Sequence, residues 1–290
     1  MYIHFTTFLD IRRCLPTVCI FFVFIMAPFA AANDWSRVTH PSKTSPEVIG
    51  GPAAGCVGGA ATLPSEGIGY QTMRLSRHRV YGHPSLIHFI RTLGMNMENQ
   101  HLGVILVGDL GQPRGGPTAS LHRSHQNGLD VDLWYWLPEK AKKQRLNQDE
   151  VENLSAPSML TRNHLAVDPA RWTAAQVEML RLAAAPDEVD RIFVHPVIKK
   201  TLCDQEEDRD WLRKIRPWWN HDDHLHVRLR CPPQNESCIS QKSLPPGDGC
   251  DADLEWWLDA VAKPPAKTTP KPKPPTPVLP SACDAVIEAP

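Results

Sequence analysis

The chain has 290 residues, enough for one well-cored domain with appendages or for two small domains. Its 31 Lys and Arg stand against 32 Asp and Glu, a net charge of −1, which excludes a strong electrostatic pull toward nucleic acid. The hydrophobic and charged fractions, 42% and 22%, are those of an ordinary globular protein, whereas the 28 prolines crowd toward the C-terminus.

Arg12 and Arg13 precede an apolar run from Cys14 to Phe29 and the small residues Ala30-Ala31-Ala32. This is the order of a cleavable export signal, residues 1–32, with cleavage expected after Ala32 and no stable membrane insertion afterwards. The alternative is an uncleaved anchor, which the short run and its Pro16 and Pro28 disfavour. The exported chain keeps six cysteines, an even number suited to three disulfides in fifteen possible connectivities. Only Cys231 and Cys238 are close enough in sequence for local pairing, and the absence of a CxxC pair argues against a cysteine-based zinc site.

The stretch to Ser65 reads as loop-rich, punctuated by Gly50-Gly51, Gly55 and Gly58-Gly59. A helix is predicted from Pro84 to Gly94, with Leu86, Ile87, Ile90 and Leu93 on its apolar face. Val104–Val107 reads as a buried strand, followed by a Gly/Pro-rich loop over Gly108–Thr118. Leu129–Leu133 alternates with strand period. Thr173 and Gln176 form a capping-box pair that opens a helix ending before Pro186. Arg191–His195 reads as a strand and Asp208–Ile215 as a short helix stopped by Pro217. His224–Arg230 alternates again, with Leu225, Val227 and Leu229 opposite the two histidines. The prediction is an α+β domain over residues 33–262, followed by a Lys/Pro-rich tail over 263–290 that Cys283 pins to the body.

Chemistry concentrates in two clusters, His122/His125 and His221/His224/His226. A hydrolytic zinc takes three N/O ligands and keeps one position open for water. His125-x6-Asp132 offers two ligands across a turn at Gly128, and strand alternation puts Asp130 and Asp132 on one face. His224-x-His226 places two imidazoles on one strand face, about 7 Å apart by strand rise. No His-Glu pair occurs, so the Glu base of the common zinc-peptidase helix is missing. Histidine must then move the proton, with His224 the first candidate and His221 sharing the role or stabilising the oxyanion.

The segments Ser124–Asp132 (SHQNGLDVD) and His221–Leu229 (HDDHLHVRL) closely resemble the penicillin-insensitive murein endopeptidase (MepA) family of LAS-type zinc peptidases. The likeness extends through Tyr81–Pro84, Val107–Asp109, Arg191–Val194, Asp208–Lys214 and Gly247–Cys250. It implies a single α+β LAS-type domain, loop-rich and disulfide-stapled, with a central antiparallel sheet bearing the zinc. It also implies a periplasmic zinc enzyme that hydrolyses D-alanyl–meso-diaminopimelyl cross-links in peptidoglycan. Carried onto this chain, the ligands are His125, Asp132 and His226, the active-site histidines His224 and His221, and the disulfides Cys56–Cys283, Cys203–Cys250 and Cys231–Cys238. Members can carry a second metal on the equivalent of His122 with a downstream Asp and His, and a homodimer can be built on it. Here Thr161-Arg162-Asn163-His164 supplies His164 but lacks the Asp. No Ser-x-x-Lys is present for a β-lactam to acylate. Rival readings are a D-alanyl-D-alanine carboxypeptidase or L,D-endopeptidase of the same fold, and a non-catalytic zinc- or wall-binding protein.

Overall fold

The structure, a computed structural model, describes Met1 and residues 34–118, 123–263 and 277–290. The segment read as an export signal, His122 and most of the Pro-rich tail lie outside the described residues.

Seven strands form the main sheet. In chain order they are β1 (Glu66–Gly67), β2 (Tyr70–Thr72), β3 (Ile105–Val107), β4 (Asp130–Trp134), β5 (Val189–Val194), β6 (Ile215–Pro217) and β7 (His224–Leu229). Across the sheet they run β6-β5-β7-β4-β3-β2-β1. The sheet is mixed, as β6 runs parallel to β5 and β2 parallel to β3. At its centre β7 runs antiparallel to both of its neighbours, β5 and β4, so the antiparallel expectation holds where the histidines sit. Leu225, Val227, Val131 and Leu133 alternate onto the face that meets the main apolar core and are fully buried.

Helices cover that core face. α1 (Pro84–Asn99) starts on Pro84, with His83 accepting from the Ser85 amide, and buries Leu86, Phe89, Ile90, Leu93 and Met97. It continues five residues past the predicted stop at Gly94. That glycine is a contact point: a Cβ there would stand 2.5 Å from the Ile68 carbonyl oxygen. α2 (Ala174–Ala184) opens on the predicted Thr173/Gln176 box, and Gln176 also donates to the Tyr135 carbonyl at 3.1 Å. α3 (Pro196–Gln205) and α4 (Ala252–Ala262) pack on each other beside β6.

Two predictions shift. The charged segment after Asp208 is a 3-10 turn, Asp210–Lys214, and Pro217 ends β6 instead of merely stopping a helix. An edge strand suits Pro217 because the missing N–H faces no partner. The loop-rich N-terminal stretch contains an antiparallel hairpin, Glu47–Gly51 with Ala54–Gly58. Its glycines hide the strand signal.

Three disulfides staple the domain: Cys56–Cys283, Cys203–Cys250 and Cys231–Cys238. The first ties the hairpin to α5 (Ala282–Glu288), where Cys283 and Val286 pack with Trp35 and Ile49. Arg114 donates to the carbonyls of Val286 and Ile287 at 3.0 and 2.8 Å, and the Lys43 amide donates to Pro290 at 3.0 Å. The C-terminus is thus stitched into the body.

Candidate metal centre and its flanking histidines

Register builds the site. On β7, His226 lies opposite Asp132 of β4 on one side and Phe193 of β5 on the other. Arg228 lies opposite Asp130. His125 reaches the same point from the turn before β4, with its backbone in the left-handed region at φ 66° and its amide donating to Asp130 Oδ2 at 3.1 Å. Gly128 makes the reversal possible: its φ is 75°, and a Cβ would stand 3.0–3.1 Å from the His83 amide and the Val57 side chain.

One ligand atom each from His125, Asp132 and His226 falls within a 4.8 Å cluster, and all three residues are buried. No other such group occurs among the described residues. Asp132 Oδ1 lies 3.4 Å from His125 Nε2 and 3.1 Å from His226 Nδ1. The far nitrogen of His226, Nε2, lies 3.3 Å from Asp130 Oδ2. Asp130 is in turn gripped by Arg228 through Nε at 2.7 Å and Nη2 at 2.9 Å. A carboxylate behind an imidazole fixes the tautomer and leaves the opposite nitrogen as a lone pair facing inward.

Each group's charge follows from its neighbours. Burial opposes ionisation of Asp132, but His125 and His224 outweigh it and hold its carboxyl well below the usual range. Burial likewise opposes Asp130, and Arg228 and His226 overcome it. Burial pushes His226 down, yet Asp130 and Asp132 carry it up to about 9. His125 has less help and is pushed down by burial. The donor set of two imidazoles and a carboxylate fits a divalent transition metal with an open position.

His224 and His221 flank this cluster. His224 Nε2 lies 3.7 Å from Asp132 Oδ1, while its Nδ1 bonds Asp223 Oδ1 at 2.5 Å. Burial lowers the pKa of His224, and Asp132 and Asp223 more than restore it, so the net direction is upward. His221 bonds the Trp219 carbonyl through Nδ1 at 2.5 Å. Burial, then the neighbouring His224 and His226, drive its pKa down to about 3, so it is neutral. The two rings are 4.9 Å apart. The strap between them is held by backbone bonds from His195 to His221, Met159 to Asp222 and Tyr135 to Asp223.

His164 stays outside: it is exposed, and its Nδ1 lies 4.0 Å from Asp222 Oδ2. The residues that sequence reasoning left without a role are Asp130, Arg228, Asp223 and Phe193. The alternation over 129–133 already set Asp130 beside Asp132, but its pairing with Arg228 depends on inter-strand register.

An α+β domain carrying a His/Asp cluster that can hold a metal, flanked by two further histidines, belongs among the hydrolase-like metal sites in form. The family model for penicillin-insensitive murein endopeptidase matches residues 48–288, and the chain belongs to that family. It is 44% identical over 266 residues to the penicillin-insensitive murein endopeptidase of Yersinia pestis bv. Antiqua (strain Antiqua), covering 91% of this chain and 93% of the relative. The protein of that name from Salmonella paratyphi C (strain RKS4594) is 42% identical over 266 residues, 91% of this chain and 94% of the relative.

Proposed function

We propose that this protein is an exported zinc endopeptidase that hydrolyses D-alanyl–meso-diaminopimelyl cross-links in peptidoglycan. The observation that carries the reading is the convergence of His125, Asp132 and His226 in a chain of this family. Zinc suits two imidazoles and one carboxylate, and when bound it supplies a Lewis acid that polarises the scissile carbonyl and acidifies water.

The chain's own residues supply the proton traffic. With Nδ1–H committed to Asp223, His224 presents Nε2 as the base, and Asp223 stabilises the imidazolium that results. The proton so held is then delivered to the leaving amine. His221 donates Nδ1–H to a carbonyl and keeps Nε2 as an acceptor, so it orients a donor or shares the base role, and it serves an oxyanion only after taking a proton itself. Asp130 and Arg228 hold His226 in orientation. Export to the periplasm is supported by the Arg12/Arg13 signal pattern and by three disulfides, and no helix among the described residues is long and apolar enough to cross a membrane.

The test is digestion of purified cross-linked muropeptide dimers by zinc-loaded protein. Dimers should convert to monomers, a chelator should stop conversion, and penicillin should not. Release of free alanine without monomers would instead mark a carboxypeptidase. Activity that survives chelation and is blocked by penicillin would refute the zinc reading.

A further inference from the structure

Beside the metal-ligating cluster the surface is unusually aromatic. Trp218, Trp219 and Trp256 are 49%, 38% and 62% exposed, and Trp257 is half-buried among them. Water-facing tryptophan on this scale marks a binding surface more often than a packing need. The packing need is met elsewhere, because α4 turns Leu254, Leu258 and Val261 toward the core. The rings form one connected set: Trp257 lies 5.8 Å from Trp218, 4.7 Å from Trp219 and 5.3 Å from Trp256 between centroids. The set continues into the candidate site, from Trp218 to Phe193 at 5.6 Å and from Phe193 to His226 at 5.3 Å. Next to Trp219 opens a cavity of about 550 Å³ with Asn220, Asp222 and His164 on its polar side.

We propose that this tryptophan platform is a subsite for the glycan strand that carries the cleaved peptide, binding the rings of neutral N-acetylated hexosamines. This rests on the peptidoglycan reading above. A pyranose ring has an apolar C–H face that stacks on indole, and a hydroxylated rim that needs the amide, carboxylate and imidazole found beside Trp219. The carboxylate of Asp222 disfavours an acidic peptide stem there, and the mix of Trp219, Ala260 and Val261 with Asn220, Asp222 and His164 offers a sugar both an apolar face and polar partners. Reach also fits. A stem of three or four extended residues spans roughly 10–14 Å, comparable to the two ring contacts that separate His226 from Trp218. Binding energy gathered at the platform would position the cross-link at the cluster.

Two measurements test this on the full exported chain. The first follows tryptophan emission while soluble N-acetylglucosamine oligomers, free of peptide, are added. A saturable change is expected in the wild type, with affinity about tenfold weaker in Trp219→Ala/Trp256→Ala and largely recovered in Trp219→Phe/Trp256→Phe, tenfold being about 1.4 kcal/mol. No saturable change, or one that the alanine pair leaves intact, overturns the proposal. A change seen on concentrating the protein without sugar, with dimers in sedimentation, assigns the face to a second copy and also overturns it. The second compares kcat/KM on cross-linked dimers with and without their sugars. The wild type should prefer the glycan-bearing dimer by about tenfold, mostly through KM, and the alanine pair should lose that preference. Equal cleavage of both by the wild type refutes the platform but leaves the peptidase reading standing. Cleavage of neither refutes the peptidase reading, and the oligomer titration then still decides whether sugar binds.

Discussion

Two of the places where this domain buries ionisable side chains handle charge in opposite ways. At the candidate metal site, Asp130 and Asp132 face Arg228 and three imidazoles, so opposite charges at close range outweigh the cost of burial and the carboxylates stay ionised. At the junction of α3 with the loop before α4, Lys199 is fully buried and its hydrogen bonds go to the carbonyls of Leu212 at 2.8 Å and Asp248 at 2.5 Å. Burial first, and then Arg216, bring its pKa down to about 7. A neutral amine has two hydrogens for those two carbonyls, and the loop it clamps carries Cys250 of the Cys203–Cys250 disulfide. Charge kept by counter-charge leaves an ionised carboxylate among the imidazoles of the candidate site. Charge surrendered to dipoles builds a clamp.

The largest effect should come from removing a charge at the site. Asp132→Ala deletes the carboxylate that His125, His224 and His226 share. Loss of bound zinc should cost several kcal/mol of transition-state stabilisation, about a thousandfold or more in turnover. Metal analysis with dimer digestion would check this, and a metal-free variant of undiminished activity would break the account. His224→Ala should differ by keeping its zinc while losing about 10²–10⁴-fold in activity, the usual worth of a positioned acid–base group. If zinc and activity fell together, His224 would be reassigned as a ligand.

Next in size is Arg228→Met, which strands Asp130 without its guanidinium. Breaking one partner from a buried pair costs about 3–5 kcal/mol, and loosening the support of a ligating imidazole should weaken zinc about 10–100-fold. Denaturant unfolding and chelator competition read the two effects separately. Because the Asp130 pKa is depressed, its stabilising contribution is complete above the ordinary aspartate value and disappears as pH falls through the lower, folded one. Asp130→Asn added to Arg228→Met should return part of the stability, since no lone charge remains. Equal losses in single and double variants would show that packing, not charge, holds this corner.

Much of this was legible in the sequence because it is written in local patterns. Strict alternation placed His224 and His226 together on β7 and Asp130 with Asp132 on β4, and the Thr173/Gln176 box set the start of α2. What stayed hidden depends on register and on long-range contact. Nothing near Arg228 in the chain says that Asp130, 98 residues away, lies opposite it. Gly94 reads as a helix stop, and only the backbone of Ile68 and Gly69 crossing it shows why a glycine sits mid-helix. The four tryptophans are scattered over two segments, and α4 assembles them into one surface.

The smallest predicted effect bears on the clamp itself. In the unfolded chain a lysine keeps its proton to about pH 10.4, whereas folded Lys199 gives it up near 7. Between those values the unfolded state binds the extra proton, so stability rises with pH, by at most about 1.4 kcal/mol per unit. Below about 7 both states hold the proton and this slope vanishes. Lys199→Met has no proton to lose, and it also leaves two buried carbonyls without their donor, a cost of about 1–3 kcal/mol. The measurement is the gap in unfolding free energy between wild type and Lys199→Met at pH 6, 7, 7.5 and 9. It should widen in favour of the wild type from pH 7.5 to 9 and change little from pH 6 to 7. Parallel stability curves would mean that folded Lys199 keeps its charge despite burial, and the contrast between site and clamp would then be one of sign only.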